Sequence, residues 1–339
     1  MIKIKIAVLL ILFVLVVTRP AFSEQAPQAD ELSYSIHNIY LESESIGDEV
    51  YVTVQDKRGF IWIGTDNGIR KYDGYKFQHF NHDPANPRSL GSNFVFDIIE
   101  DNNGNLWFAG NKNISLYHEE TETFTVYDVT KGSIIRTLAE GPKGLIWFGG
   151  DKVGIQAIDP VKGDIVHEIH LEETARFDVR SIIADKNNPC LWIASGNGLF
   201  KLNTQNLHLE QLSLPPNFEL GNETIRQALI DNQGNLWAAT NQGILLYAPN
   251  SDSIKQFSAN YSYPPPYENI RLVNDDIWSV FQDSDGAIWF GTGKVGSIDI
   301  ICSPTNLASL PLHETRMISS LPLQFIIFLK IINSHCGSH

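Results

Sequence analysis

The chain has 339 residues, 43% of them apolar and 11% aromatic, which suits one large all-β domain or two to three smaller domains. A formal charge of −14 argues against nucleic acid or an anionic lipid surface as a partner. The three cysteines, Cys190, Cys302 and Cys336, have neither the spacing of metal ligands nor the even count of a disulfide framework. At the N-terminus, Lys3 and Lys5 precede an unbroken apolar run from Ile6 to Val17, followed by Pro20 and the small-x-small exit Ala21-Phe22-Ser23. This is the layout of a secretory signal peptide over 1–23, and it predicts a periplasmic or secreted protein. The run is shorter than the roughly 20 residues of a membrane span, so no span is expected after cleavage; a retained anchor is the alternative. Loss of Lys3, Lys5 and Arg19 would take the charge from −14 to −17. Residues 24–49 hold "LSYSIHNIYLE" (32–42), which reads as a spare strand able to close a blade.

From residue 50 onward the chain repeats. "DKRGFIWIGT" (56–65) returns as "DNNGNLWFAG" (101–110), "GPKGLIWFGG" (141–150), "DKNNPCLWIAS" (185–195), "DNQGNLWAAT" (231–240) and "DSDGAIWFGT" (283–292). Trp62, Trp107, Trp147, Trp192, Trp237 and Trp289 therefore share one position, at spacings of 45, 40, 45, 45 and 52. Trp278 has no equivalent.

Each unit reads as four strands. The first is a short alternating segment: "VYVTVQD", "FVFDIIED", "IIRTLAE", "VRSIIAD", "IRQALID" or "IWSVFQD". An Asp-x-x-Gly turn usually follows, in which Gly accepts a positive φ and Asp bonds its own backbone. The Trp strand comes next, with Gly64, Ala109, Gly149, Ala194, Ala239 or Gly291 two residues beyond the Trp. Such small residues predict close backbone approach. A second turn, as at Asn67-Gly68, leads to a strand carrying Tyr72, Tyr117, Phe200 or Tyr247, and pairs such as Phe77/Phe80 mark the fourth. A four-stranded sheet cannot cover both its faces alone, so stacked sheets are required, and the twist favours radial stacking. The expected fold is an all-β β-propeller of four-stranded blades over 50–300, with the repeat tryptophans between blades. Six repeats are recognisable, and the sixth lacks its fourth strand. An incomplete seven-bladed propeller is the favoured count, six closed blades the alternative. Residues 301–339 show no repeat and read as a truncation, a shifted reading frame or a tail packed across one face.

The unit D-x-x-G-x-[IL]-W-x-G-T-x-x-G-[IL]-x-[RK]-Y-D, best matched from Asp56 to Asp73 and more loosely from Asp231 to Tyr247, resembles the two-component regulator propeller repeat. The linker "FNHDPANPRSLGSNFVFDIIEDNNGNLWF" (80–108) is similar to that family as well. The resemblance covers about 32–300. It implies the exported sensor region of a signalling receptor, whose output is a histidine kinase, often hybrid, or a diguanylate cyclase. Ligands in the hybrid kinases are often glycans. No kinase glycine motif or Gly-Gly-Asp-Glu-Phe signature occurs in this sequence. The expectation is a sensor without its own output domain, binding an extracellular small molecule or glycan, with a homodimer as an option.

Enzymatic signals are weak. His79 and His82 lack a third ligand and read as turn residues. "DNNGN" and "DSDGA" lack the oxygen run and distal Glu of a calcium loop. "GTGKVG" (291–296) departs from the phosphate-loop pattern, and "DKVG" (151–154) occupies the same turn. No catalytic residue, metal or cofactor is assigned. For ligand binding the candidates are Tyr261, Tyr263 and Tyr267, in the proline-rich linker 258–276, where stiff prolines would hold stacking rings. Packing on a blade edge is the favoured alternative for them. Arg70-Lys71 is a basic spot expected to pair with nearby carboxylates. The alternatives to a sensor are an extracellular propeller lyase or hydrolase, and a non-functional fragment.

Overall fold

A computed structural model describes residues 49–129, 133–169, 178–220, 224–248, 253–259, 261–263, 267, 270, 272, 274–283 and 286–292, and the backbone of 298–301. The signal-peptide reading, the spare strand at 32–42 and the tail after 301 lie outside them. The described residues form antiparallel sheets and no α-helix. Blade 1 is β1 (Val50–Gln55), β2 (Ile61–Thr65), β3 (Gly68–Tyr72) and β4 (Phe77–Phe80). Blade 2 is β5 (Val95–Glu100), β6 (Leu106–Gly110), β7 (Asn113–His118) and β8 (Thr123–Asp128). Blade 3 is β9 (Ile135–Glu140), β10 (Ile146–Gly150), β11 (Gly154–Ile158) and β12 (Ile165–Ile169). Blade 4 is β13 (Val179–Ala184), β14 (Cys190–Ser195), β15 (Gly198–Asn203) and β16 (Leu209–Gln211). Blade 5 is β17 (Ile225–Ile230), β18 (Leu236–Thr240), β19 (Gly243–Ala248) and β20 (Ser253–Phe257). Blade 6 has three described strands, β21 (Ile277–Gln282), β22 (Ile288–Thr292) and β23 (Ile298–Ile301). Strands pair in chain order within every blade, and from blade 2 onward each first strand packs against the first strand of the blade before it. The result is a β-propeller with β1, β5, β9, β13, β17 and β21 as its innermost strands.

The core is a series of inter-blade seams rather than one centre. Trp62 packs with Ile98, Phe108, Tyr117 and Phe124 of blade 2, and Trp107 with Ile135, Leu138 and Phe148 of blade 3. Trp147, Trp192 and Trp237 meet the equivalent residues of blades 4, 5 and 6. The repeat tryptophans are 0–7% exposed. The small residue beyond the Trp is required by the seam. A Cβ on Gly64 would lie 2.8 Å from the carbonyl oxygen of Val95, and one on Gly149 would lie 2.6 Å from Cγ1 of Val179.

The turn aspartate has a second role. In blade 1 one oxygen of Asp56 accepts the N–H groups of Arg58 and Phe60 (both 3.0 Å), which closes the turn, while the other accepts the indole N–H of Trp62 (2.9 Å). The same indole bond joins Trp107 to Asp101 (3.0 Å), Trp192 to Asp185 (3.4 Å), Trp237 to Asp231 (2.8 Å) and Trp289 to Asp283 (2.8 Å). Burial alone would raise the Asp101 carboxyl; the bonds from Trp107 and Asn105 outweigh it and hold it below the ordinary value. Blade 3 has Gly141 at this position, and the buried Trp147 indole N–H has no hydrogen-bond partner among the described residues. Trp147→Phe is therefore expected to cost less than about 1 kcal/mol, and Trp237→Phe about 1–2 kcal/mol more than that. Urea unfolding of the two variants checks the difference.

Side chains also bridge the blades. The third residue of each first strand sits opposite the small residue beyond the Trp, and three of them accept an N–H from the next blade's first strand. Asp97 accepts from Leu138 (2.8 Å), Thr137 from Ile182 (3.1 Å) and Gln227 from Val280 (2.9 Å). Donors on an otherwise open sheet edge are thereby satisfied. At the other end of the strand, Glu100, Glu140 and Gln282 accept the N–H of Lys57 (2.9 Å), Asn102 (2.6 Å) and Asn232 (3.0 Å) in the preceding blade's turn.

Asp97 is the ionisable member of the first row. Burial pushes its carboxyl up to about 6, against the opposing effect of the N–H groups of Leu138 and Ile98 and the Thr137 hydroxyl. An acid whose folded pKa exceeds its unfolded value stabilises the fold below the unfolded value, near 3.8, and loses that contribution as pH rises through 6. Asp97→Asn removes the titration. Its stability relative to the parent chain is expected to improve by about 2 kcal/mol between pH 4 and pH 7. Urea midpoints of both proteins at the two pH values measure this, and a constant difference would exclude the buried charge.

Candidate functional site at the channel mouth

Each innermost strand begins with a β-bulge. In blade 1, Val50 pairs with Thr65 and Val52 with Gly64, which leaves Tyr51 as the extra residue. The same slip leaves Phe96, Arg136, Arg180, Arg226 and Trp278 extra in blades 2 to 6. A bulge takes one side chain out of the pleat and re-aims it. All six innermost strands run in the same sense, so the six residues lie at one end of the channel. The extra residue is aromatic on blades 1, 2 and 6 and arginine on blades 3, 4 and 5.

Neighbouring blades make contact here. The rings of Tyr51 and Phe96 are 4.9 Å apart, and Phe94 stacks on Phe96 at 6.2 Å. Arg136 lies 5.3 Å from the Phe96 ring and is held by Asp151 through two bonds, Nε–Oδ1 2.5 Å and Nη2–Oδ2 2.7 Å. Arg226 reaches across to blade 6. Its guanidinium carbon lies 3.9 Å over the Trp278 ring, and Nη1 donates to Asp276 Oδ1 (2.6 Å) and the Ile277 carbonyl (3.0 Å). The Trp278 indole donates to Asp276 Oδ2 (3.1 Å). Burial, opposed by the bonds from Arg226 and Trp278, leaves Asp276 below the ordinary carboxylate value. Burial and the adjacent Glu49, bonded at 3.2 Å, raise Tyr51. Tyr51, Phe94 and Trp278 are 39, 43 and 51% exposed.

At the opposite end, a depression of about 380 Å³ between blades 1 and 2 is lined by Arg58, Asn105, Tyr117, His118, Glu119 and Glu120. Several of its polar groups are already engaged. Arg58 pairs with Asp56 and Glu119, Asn105 bonds Asp101, and His118 bonds the Thr125 hydroxyl.

The tyrosines of the 258–276 linker gather on Phe257, with the Tyr261 ring 5.5 Å from that of Tyr263. Tyr263 and Tyr267 pack against Phe257, and the Tyr263 hydroxyl accepts the Ser258 N–H (2.7 Å). Tyr261 is 69% exposed. Arg70 and Lys71 form no surface spot. Both are buried, and the Lys71 ammonium lies over the rings of Phe60, Trp62 and Tyr117 at 4.3–5.8 Å instead of against a carboxylate. Burial first, and then Arg58, lower its pKa. His82 Nδ1 lies 2.7 Å from the Leu90 carbonyl, and His79 stands on β4. Among the described residues no three His, Cys, Asp or Glu side chains gather as metal ligands, and no helix is long and apolar enough to cross a membrane. The bulge ring did not emerge from sequence reasoning, although its signal was present. Its members stand eleven residues before each repeat Trp, or twelve in blade 4, where the turn is one residue longer.

The two component regulator propeller family matches residues 45–67, 89–112 and 271–294, so the chain carries repeats of that family. Among solved structures it is similar to the extracellular domain of BT4673, described as a hybrid two component system of B. thetaiotaomicron. The identity is 22% and the TM-score 0.64, over 85% of this chain and 36% of that one. The extracellular domain of a second such system, BT3049, matches at 18% identity and TM-score 0.52, over 82% of this chain and 49% of that one. Virginiamycin B lyase from Staphylococcus aureus matches at 17% identity and TM-score 0.59, over 73% and 78%. Likeness at this level establishes the shared propeller fold. The chain spans 36 and 49% of the lengths of the two hybrid-system structures. No curated protein matches.

Proposed function

We propose that this chain is the exported sensor region of a signal-transduction receptor and that it binds a small extracellular ligand without transforming it. The observation that carries the reading is the two component regulator propeller repeat, matched in blades 1, 2 and 6. The mouth supports it. Three exposed aromatic residues and fixed guanidinium groups make a recognition surface on a rigid scaffold. A propeller lyase or hydrolase is the competing reading.

One experiment separates the two. The purified chain is screened by thermal shift against extracellular metabolites and oligosaccharides, and each stabilising compound is then incubated with it and examined by mass spectrometry. A sensor raises Tm with a compound that is recovered intact. Recovery of a cleaved or eliminated product would establish the enzyme. Export is checked by fractionating cells that express the whole chain, which should appear outside the cytoplasm with the mass of residues 24–339.

A further inference from the structure

Three innermost strands are joined by a chain of hydrogen bonds that runs through one acid. Asp97 of β5 accepts the Leu138 N–H of β9 (2.8 Å), and the neighbouring Thr137 hydroxyl bonds the same carboxyl. Thr137 in turn accepts the Ile182 N–H of β13 (3.1 Å). We propose that this chain makes the inner edge of blades 2 to 4 a pH-responsive joint, closed in acid and loosened as Asp97 ionises, which governs that side of the mouth. The joint stands by itself; its part in regulating recognition rests on the reading of the chain as a sensor.

Asp97 has donors and no counter-charge. Its strand packs against β1, β2, β6 and β9, of which β2 and β6 carry no titratable side chain. Tyr51 of β1 bonds Glu49, and Arg136 of β9 is held by Asp151. Glu100 and Glu140 stand at the far ends of β5 and β9, where they accept the N–H groups of Lys57 and Asn102. What acts on the Asp97 carboxyl is burial first, and then the bonds from Leu138, Ile98 and Thr137. A buried carboxylate gives up its hydration, and opening the seam restores it. The folded value of about 6 lies above the ordinary 3.8, so the closed joint is favoured in acid and loses that advantage as pH rises through 6.

The joint lies one residue from the mouth. Phe96 precedes Asp97, Arg136 precedes Thr137, and the Arg136 guanidinium lies 5.3 Å from the Phe96 ring. That contact spans the same two strands, so separating β5 from β9 breaks it. The chain also supplies a control. Gln227 of β17 occupies the position of Asp97, opposite Ala239 as Asp97 is opposite Ala109, and accepts the Val280 N–H of β21 (2.9 Å). An amide has no charge to hydrate, so the seam of blades 5 and 6 should not respond to pH.

The test is hydrogen exchange of the purified chain between pH 4 and pH 7, read at single amides and corrected for the intrinsic rate at each pH. Exchange of Leu138 and Ile182 is expected to rise about thirtyfold relative to Val280 over that range. In Asp97→Asn the three amides should keep a constant ratio. Asp97→Thr, which gives blade 2 the residue found at this position in blade 3, serves if the first variant does not fold. A parallel rise at all three amides of the parent chain would mean that pH acts on the whole propeller, and would overturn the joint. A level ratio in the parent chain, or a rise that survives the substitution, would overturn it as well. No ligand enters the measurement, so its failure leaves the sensor reading standing.

Discussion

Replacing Asp231 with alanine is expected to destabilise the propeller by about 3 kcal/mol, measured by urea unfolding at neutral pH. Asp231 is 5% exposed and joins two layers of the blade. One oxygen accepts the N–H groups of Gln233 (2.8 Å) and Asn235 (2.9 Å), so the carboxylate closes the hairpin turn from within its own blade. The other accepts the Asn235 amide (2.9 Å) and the Trp237 indole (2.8 Å), which ties the hairpin to a ring of the blade 5–blade 6 seam. Alanine leaves a buried indole donor and two turn donors to find new partners. Asp231→Asn should recover part of the loss, because the amide oxygen still accepts. A cost below about 1 kcal/mol would mean that the turn closes without the carboxylate and that the indole bond is incidental.

The second large effect is expected at Trp62. The side chain is fully buried and meets Phe80, Phe108 and Tyr117 at centroid distances of 5.9, 5.6 and 5.1 Å. Trp62→Ala should cost roughly 3–5 kcal/mol, because the seam loses both the transferred area and the contacts around the cavity left behind. Trp278→Ala, the same substitution at a half-exposed ring, should change stability by less than about 1 kcal/mol. Denaturant midpoints of the two variants compare the values directly. Equal losses would contradict the division into seam tryptophans and a mouth tryptophan.

The repeat was legible because each blade solves the same problem with the same residues. Alternation marked the first strands, and Gly at the turn was required by positive φ, +84° at Gly104 and +85° at Gly234. The small residue beyond the Trp announced a close approach that the structure places against the next blade, at Val95 and Val179. These are local constraints with a fixed spacing, and a sequence displays them directly.

Other features needed the fold. The Asp to Trp bond spans six residues in sequence, yet it forms only because the hairpin turns the indole edge back over the turn. Lys71 looked like surface charge beside Arg70, but pairing opposite Trp62 sets its ammonium over three rings contributed by two blades. For Tyr263 and Tyr267 the sequence left ligand stacking and the favoured packing on a blade edge both open, and the fold sets both rings against Phe257.

By itself, then, the sequence determined the blade: its strands, its turns, and the Trp that must be covered by a neighbour. Only the tertiary structure decided the mouth. Tyr51, Phe96, Arg136, Arg180, Arg226 and Trp278 are separated by 40 to 52 residues and differ in chemistry, so they carry no common motif. Radial stacking and a bulge in the same register bring them to one end of the channel. A repeat conserves backbone geometry because every seam demands it. The side chain freed by the bulge belongs to no seam, and only the assembled ring gives it a neighbour.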